Sequence, residues 1–282
     1  MGDKTAISWT SKTWNPWRGC TRISPGCAHC YALARMEKLG FDPYTVTRTK
    51  TWADPLRWQA EAQAQGIQER VFTCSWSDWF HPDADAWRAE AWDIVRRCPN
   101  LIFQILTKRP ELIPARLPPD WKRHRQLHGP TYEPPSVYIP RSFQPPGLTY
   151  EPASFYVPQK HETRLSEPYT GYPNVWLGVS VETPNFLHRM DLLRQIPAAI
   201  RFVSAEPLLA PLGHLNLAGF HWVIVGGESG PGFRPMDHAW ARDIRDQCQR
   251  EKVPYFFKQS SGPRTETGTN LDGREYHEWP KP

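Results

Sequence analysis

Short apolar runs alternate with segments of helical spacing along most of the chain. The apolar runs are rich in Val, Ile, Phe or Trp and last only a few residues, which is typical of buried parallel strands. The predicted strands are residues 70–75, 101–107, 174–181, 200–204, 221–225 and 254–258. Repeated strand–helix units of this kind predict an α/β fold.

Two segments between these strands show helical spacing most clearly. Their apolar residues recur at offsets of three and four, as they do on one face of an amphipathic helix packed on a sheet. The apolar positions are Trp87, Ala91, Ile94, Val95 and Cys98 in the first segment, and Trp240, Ile244 and Cys248 in the second.

Polar residues follow every predicted strand directly. They include Ser75 to Asp78, Lys108 and Arg109, Ser180 and Glu182, Ser204 and Glu206, Gly226 to Ser229, and Lys258 with Gln259. The carboxyl ends of parallel strands in a barrel point into one mouth, where functional side chains gather. The alternative is that these are ordinary turn and helix-capping residues.

The chain has 282 residues, a length that fits either two domains or one α/β barrel with an insertion. We divide it into residues 1–113, the first part of the barrel, residues 114–173, an insertion, and residues 174–282, the remainder of the barrel. The chain contains 30 prolines, which crowd into the middle segment. Proline at such density blocks both helix and central strand.

A 12-residue unit occurs twice inside the insertion, as GPTYEPPSVYIP at 129–140 and GLTYEPASFYVP at 147–158. We expect extended or polyproline-like loops there. With Lys122, Arg123 and Arg125 just before the repeat, the segment has the basic and aromatic character of an arm that contacts nucleic acid. A duplicated surface loop without a role in recognition is the other interpretation.

Composition adds only mild constraints. The formal charge is +5, from 34 Lys and Arg against 29 Asp and Glu, which permits a polyanionic partner without requiring one. No apolar run approaches the roughly 20 residues that span a bilayer. The amino-terminal stretch MGDKTAISWTSK lacks the features of a signal peptide. We therefore expect a cytoplasmic protein with no membrane association.

Three of the six cysteines lie within eleven residues. Cys20, Cys27 and Cys30 form a C-x6-C-x2-C pattern, whereas Cys74, Cys98 and Cys248 stand singly in apolar or helical surroundings and are expected to be buried small hydrophobes. A structural zinc site takes four ligands, and His29 is the only nearby fourth candidate. A 4Fe–4S cluster held by three cysteines leaves one iron open for a substrate or cofactor.

The stretch NPWRGCTRISPGCAHCYALAR at residues 15–35 resembles the cluster motif of radical S-adenosylmethionine (SAM) enzymes, in particular the spore photoproduct lyase group. Six residues separate the first two cysteines here, where the usual motif has three. The whole chain resembles the phage Gp37/Gp68 family more closely still. The matching segments are ILTKRPE at 105–111, NVWLGVSVE at 174–182, RFVSAEPLL at 201–209, WVIVGGESGPG at 222–232 and PYFFKQ at 254–259.

This resemblance implies a full or partial (β/α) barrel of radical-SAM type, with a short first strand near residues 8–14 and the cluster loop at residues 15–35. It implies a 4Fe–4S cluster on Cys20, Cys27 and Cys30. It also implies SAM as a cofactor, bound by His29, Ser75, Asp78, Ser180, Glu182, Gly226, Gly227 and Glu228. We expect all these residues to share one mouth and the three sulfurs to converge on one small space.

The remaining residues at the strand ends are candidates for the substrate. We assign Glu206, Lys108 and Lys258 as catalytic candidates, with Tyr31, Trp76, Trp79, Arg109 and Gln259 as substrate-binding candidates. The tryptophans and Tyr31 would stack on a nucleic-acid base taken out of its helix. The alternative for Glu206 and Lys258 is a salt bridge at the barrel rim without chemistry.

Two functions are compatible with these residues. The first is a radical-SAM iron–sulfur enzyme, a lyase or a base-modifying enzyme, that acts on DNA in repair or modification and needs an electron donor. The second is a non-catalytic nucleic-acid-binding protein that a metal stabilises, which requires four protein ligands and no cofactor pocket.

Overall fold

The computed structural model describes residues 5–121 and 171–281. The strands are β1 Lys12–Trp14, β2 Trp17–Arg18, β3 Thr47–Arg48, β4 Glu69–Thr73, β5 Leu101–Thr107, β6 Val175–Ser180, β7 Ile200–Ala205, β8 Trp222–Gly226, β9 Tyr255–Gln259, β10 Asn270–Leu271 and β11 Arg274–Glu275. The helices are α1 Tyr31–Lys38, α2 Asp54–Gln65, α3 Asp85–Arg96, α4 Ile113–Arg116, α5 His188–Arg194 and α6 His238–Glu251. No helix in these two ranges is long and apolar enough to cross a membrane.

Seven strands form one parallel sheet in the order β1-β4-β5-β6-β7-β8-β9. The order follows the chain, as it does in a barrel, but β1 and β9 are not paired with each other, so the sheet is an open half-barrel. Two small antiparallel pairs, β2 with β3 and β10 with β11, lie outside it. The prediction of a partial α/β barrel is therefore confirmed at the level of the fold.

The six strands predicted from the apolar runs all exist, with ends that differ by no more than two residues. The first strand is shorter than the predicted range 8–14 and begins at Lys12. The two predicted helices are α3, which ends just before Cys98, and α6. Helix α4 was not expected, because Pro114 begins the proline-rich segment. Proline at the first turn of a helix loses no hydrogen bond, so a single turn forms there.

Alternation along the strands gives the sheet two different faces. The outer face packs against the helices and carries aliphatic and aromatic residues such as Val71, Phe103, Leu177 and Val203. The inner face forms a separate core of Phe72, Ile102, Trp176, Ile200, Phe202, Trp222, Ile224 and Phe256, to which Trp9 is added. The lower part of the half-barrel is thus filled with side chains.

Trp222 lies at the centre of this inner core. Its ring centroid is 5.7 Å from that of Phe202, 6.0 Å from that of Trp176 and 6.2 Å from that of Trp9. Trp279 lies 4.9 Å away and also packs against the Arg70 guanidinium. Because these residues surround the amino ends of the strands, packed side chains close that end of the described half-barrel.

Both described ends of the insertion lie in the helix layer. The rings of Trp121 and Tyr172 are 5.0 Å apart and both contact Trp92 of α3. The Trp121 indole N–H donates to the carbonyl of Pro197, just before β7. Pro197 precedes β7, so Trp121 lies on the amino-end side of the sheet, whereas Arg116, near the start of the insertion, pairs with Asp85 at the first residue of α3. Its repeat and Lys122, Arg123 and Arg125 lie outside the described residues.

Gly178 shows how tightly the inner core is packed. A Cβ atom at this position would lie 2.3 Å from the ring of Phe202 on the neighbouring strand. We predict that Gly178→Ala lowers the free energy of unfolding by about 1–3 kcal/mol through overpacking, measured by urea denaturation. The cost should shrink in a Phe202→Leu background, and an equal cost in both backgrounds would contradict this explanation.

Candidate functional site

Three carboxylates are buried at the carboxyl ends of the sheet. Asp78 follows β4, Glu182 follows β6 and Glu228 follows β8, and each is at most 5% exposed. A buried carboxylate is costly unless it is paired and hydrogen-bonded. Residues 15–35, which carry the three cysteines and are named here the cysteine loop, contribute one partner to Glu182 and one to Glu228, whereas Asp78 reaches this loop through Arg109.

Asp78 is held by β5 and the residues that follow it. Its Oδ1 accepts hydrogen bonds from the Thr107 hydroxyl at 2.7 Å and the Phe80 backbone N–H at 2.9 Å. Its Oδ2 accepts from the Lys108 backbone N–H at 3.0 Å and from Arg109 Nη1 at 3.1 Å. Burial alone would raise the pKa of Asp78, but Arg109 and these hydrogen bonds outweigh it and lower the pKa.

Arg109 connects Asp78 to the start of the cysteine loop. Its Nη2 donates to the hydroxyl of Thr21 at 2.7 Å and to the carbonyl of Thr21 at 3.0 Å, while Nη1 lies 3.7 Å from Cys20 Sγ. Burial raises the pKa of Cys20 to about 12, although the Arg109 charge opposes the increase. Cys20 is therefore a neutral thiol in the metal-free chain.

Glu182 holds the middle of the cysteine loop. It accepts hydrogen bonds from the Ser24 hydroxyl at 2.6 Å and Arg189 Nη1 at 3.0 Å, and it forms an ion pair with Lys108. Burial would raise the pKa of Glu182, but the two cations and Ser24 lower it overall. Gly26 is required here, because a Cβ at that position would lie 2.5 Å from Glu182 Oε1.

Cys27 lies beside this ion-pair network. Its Sγ is 3.6 Å from the Ser24 hydroxyl. Burial raises the pKa of the Cys27 thiol, but the Lys108 charge and hydrogen bonds from Ile23 and Ser24 together lower it below the ordinary value. Cys27 thus has more thiolate character than Cys20, and a thiolate is the form that binds metal.

Glu228 holds the last part of the cysteine loop. His29 Nδ1 lies 2.9 Å from Glu228 Oε2, which also accepts from the backbone N–H of Arg234 at 2.9 Å. Arg234 pairs with the carboxylate and donates to the Pro25 carbonyl at 3.0 Å. Burial raises the pKa of Glu228, but the Arg234 and His29 hydrogen bonds lower it to about 2.

The end of β4 anchors both sides of the cysteine loop. Asn15 Nδ2 donates to the Ser75 hydroxyl at 3.0 Å, and its Oδ1 accepts from the backbone N–H of Trp76 at 2.8 Å. The Tyr31 hydroxyl donates to the Ser75 carbonyl at 3.0 Å. The partly buried Trp76 packs with Cys20 and Cys30 against the buried side of α1.

Lys258 and Glu206 form an ion pair at 2.5 Å on the inner face, with Glu266 at 3.8 Å from the Lys258 amine. Lys258 shares its face with Phe256 of the inner core, and Gly226 lies beside Glu206. By the same alternation Ser180 and Ser204 also face inwards, and they are paired between β6 and β7. Above the aromatic core, the inner face therefore becomes small and polar.

Three predicted site residues have other roles. Trp79 is fully buried in the outer core, with ring centroids 5.0 Å from Trp17 and 4.9 Å from Trp92, so it cannot stack on a base. Gln259 donates to the Gly227 carbonyl at 2.9 Å, and its side-chain oxygen is also hydrogen-bonded. Gly227 lies against Ser261 of the same chain instead of a cofactor. A Cβ atom at position 227 would be 2.3 Å from the Ser261 backbone nitrogen, so only glycine fits there.

Several residues that position the cysteine loop were not predicted from the sequence: Asn15, Thr21, Ser24, Arg189 and Arg234. Of these residues, only Ser24 could have been identified from the sequence, because it lies inside the cysteine motif, three residues before Cys27. Arg189 and Arg234 reach Glu182 and Glu228 from α5 and from the segment after β8. Only the fold brings these arginines to the strand ends.

The six cysteines are all free thiols. Cys74, Cys98 and Cys248 are buried, as predicted, and burial raises the pKa of Cys98 and Cys248 to about 12. Among the described residues, no group of three or more His, Cys, Asp and Glu side chains is arranged to hold a metal ion. The convergence of Cys20, Cys27 and Cys30 as a ligand set therefore stays a prediction.

Comparison with known families gives one assignment. Residues 4–280 match the model of a family described as a protein of unknown function, DUF5131. The chain belongs to this family. The match spans the half-barrel, the cysteine loop and the insertion together. Searches of the curated proteins and of the solved structures gave no match.

We predict that Glu182→Gln destabilises the protein by about 3 kcal/mol at pH 7, because it leaves Lys108 and Arg189 without their buried counter-charge. The pKa of Glu182 is lowered in the folded state, so its contribution is full above pH 4.5 and is lost as the pH falls through the folded value. The deficit should therefore shrink between pH 5 and pH 3 in urea denaturation.

The matched control is Glu251→Gln, at the exposed end of α6. It should change stability by less than about 0.5 kcal/mol at each pH. A Glu182→Gln deficit that stays constant from pH 7 to pH 3 would show that the ion pairs do not stabilise the fold.

Proposed function

We propose that this chain is an iron–sulfur enzyme of the radical-SAM type that acts on a nucleic-acid base, with Cys20, Cys27 and Cys30 as the cluster ligands. The observation that carries the proposal is the placement of the cysteine loop. A loop with three unpaired cysteines lies over the carboxyl ends of a parallel half-barrel, where sites of this architecture form.

The donor chemistry of the cysteine loop fits an iron–sulfur cluster. Cysteine thiolates are the ligands of such clusters, and Lys108 and Ser24 already favour the thiolate of Cys27. Arg109 next to Cys20 offers an N–H to its sulfur, a type of contact that tunes cluster potentials. Binding would draw the three sulfurs together from their metal-free positions.

When bound, a reduced cluster and SAM supply the one-electron chemistry that removes a hydrogen atom from a substrate. The chain's own residues divide into two groups for this task. Asp78, Glu182 and Glu228 already bind the cysteine loop or Arg109 through their carboxylates, so we assign them as positioning residues. Ser180 on the inner face, with Ser75 and Gly226 at the strand ends, is left for the cofactor.

Lys258 and Glu206 are the proposed catalytic pair, because they are the charged side chains of the inner face above the aromatic core. Lys258 is 8% exposed and is matched by Glu206 at 2.5 Å. A lysine ammonium in this position can donate a proton to a substrate, which leaves a neutral amine hydrogen-bonded to the Glu206 carboxylate. Lys108 is engaged with Glu182 and belongs with the positioning residues.

The first test is the metal. The full chain purified without oxygen should be brown, absorb in the visible range and contain about four iron and four sulfide per chain. Replacing Cys20, Cys27 or Cys30 with Ala should abolish the cluster. Replacing the buried Cys98 or Cys248 with Ala is the matched control and should leave the iron content unchanged.

A colourless protein with one zinc and no iron would support the metal-stabilised binding protein instead. If iron is present, the reduced protein should cleave SAM to methionine and 5′-deoxyadenosine, measured by chromatography. An iron-loaded protein that leaves SAM intact would contradict the enzymatic part of the proposal.

A further inference from the structure

An open cleft lies beside the cysteine loop, between α1 and residues 229–231. Its volume is about 550 Å³, which is within the range of ligand sites. His29 and Cys30 are at its inner end. The remaining lining residues are Arg22, Ala28, Tyr31, Ala34, Arg35, Glu37, Lys38, Ser229, Gly230 and Pro231.

The charge of this surface is strongly one-sided. Residues 18–50 contain six Lys and Arg against two Asp and Glu, in a chain whose total formal charge is +5. Arg22, Arg35 and Lys38 are exposed at the cleft. Within the described parts of the chain they form no ion pair, whereas Arg48 pairs with Glu90 at 2.6 Å. The cleft therefore offers three cations that no carboxylate of these parts neutralises by direct contact.

Three exposed aromatic side chains lie in this region, of which Tyr31 lines the cleft and Tyr44 adjoins it through Arg22. Tyr31 is 54% exposed, Tyr44 is 44% exposed and Phe41 is 37% exposed. Arg22 lies over the ring of Tyr44 at 5.9 Å. Flat rings among unpaired cations are the combination that binds single-stranded nucleic acid, because bases stack on the rings while the cations track the phosphates.

We propose that this surface, the α1 cleft, binds single-stranded nucleic acid, with phosphates on Arg22, Arg35 and Lys38 and bases stacked on Tyr31 and Tyr44. The inference rests on the proposed function, since it names the form in which a base reaches the site. The Tyr31 hydroxyl is bound to the Ser75 carbonyl at the end of β4. Seven of the residues that line the α1 cleft belong to the cysteine loop itself, so a strand bound there lies against this loop.

An acidic electron-transfer protein is the other class of partner that a basic surface attracts. The exposed rings beside the cations favour a strand with separable bases, because such a strand stacks its bases on the rings while its phosphates contact the cations. Paired bases would not reach the rings either, so a duplex should bind more weakly than a single strand.

The test measures binding of a fluorescent 12-nucleotide oligothymidylate to the full chain, purified without oxygen, by fluorescence anisotropy. The triple variant Arg22→Glu, Arg35→Glu, Lys38→Glu should bind at least tenfold more weakly at low salt. Its slope of log affinity against log salt should fall by about 2, because each lost phosphate contact removes about 0.7.

The matched control reverses three cations at the opposite, amino-terminal edge of the sheet: Arg97→Glu, Arg250→Glu, Lys252→Glu. This variant has the same net charge as the first and should bind within about twofold of the unmodified chain. Equal losses in the two variants, or no loss in either, would overturn the proposal. Urea unfolding midpoints of both variants show whether they are folded.

The aromatic contribution has its own readout. Tyr44→Ala should weaken binding about tenfold without changing the salt slope, whereas Tyr44→Phe should restore it. Equal affinity for a 12-base-pair duplex would overturn the single-strand assignment. The nucleic-acid assignment would be wrong if the chain did not bind the oligonucleotide but bound an acidic electron-transfer protein tightly. Loss of that binding in the first triple variant would then assign the α1 cleft to this class of partner.

Iron analysis of the same preparations separates this inference from the proposed function. If the chain holds no cluster but binds the oligonucleotide through the α1 cleft, the enzymatic proposal fails and the binding surface stands. If the chain holds the cluster and cleaves SAM but does not bind the oligonucleotide, the binding surface alone is wrong.

Discussion

Buried carboxylates at the ends of parallel strands impose the constraint on which this structure depends. Asp78, Glu182 and Glu228 are each removed from water, and each would strongly destabilise the fold without a compensating partner. Arginines from three different segments supply the charge. The cysteine loop adds one hydrogen bond to Glu182 through Ser24 and one to Glu228 through His29, and Arg109 reaches this loop through Thr21.

This arrangement couples the barrel to the cysteine loop. Each carboxylate sits at the end of a different strand, so the loop is held at separate points along the whole carboxyl edge rather than at one hinge. The pKa values of the Cys20 and Cys27 thiols depend on the same contacts. Glu182 holds Lys108 close to Cys27, and the Lys108 charge lowers the pKa of the Cys27 thiol. For Cys20, burial is the largest effect and raises the pKa of the thiol. The charges that stabilise the fold therefore also act on the thiols of Cys20 and Cys27.

The strands were predictable because short apolar runs, such as residues 101–107 and 222–226, have to be buried, and runs of this length are typical of strands inside a parallel sheet. Gathering of Ser180, Glu206 and Lys258 at one edge follows from parallel strand order alone. The partners of the carboxylates were not predictable, because Arg189 and Arg234 are ordinary helix and loop residues in sequence. Trp79 was misassigned because its neighbours Ser77 and Asp78 are polar, while its side chain turns into the outer core. Side chains in a loop do not alternate regularly between two faces as they do in a strand, so the sequence pattern does not indicate which of them are buried.

The aromatic core of the inner face has a consequence for the order in which the molecule assembles. Trp9 and Trp279 both pack on Trp222, although 270 residues separate them along the chain. Contacts between such distant residues form late and slowly. The helix-covered outer face can condense from neighbouring strand–helix units during synthesis, whereas the interior stays incomplete until residue 279 has emerged from the ribosome. The interior of the half-barrel is thus completed by two segments that lie far apart in the sequence.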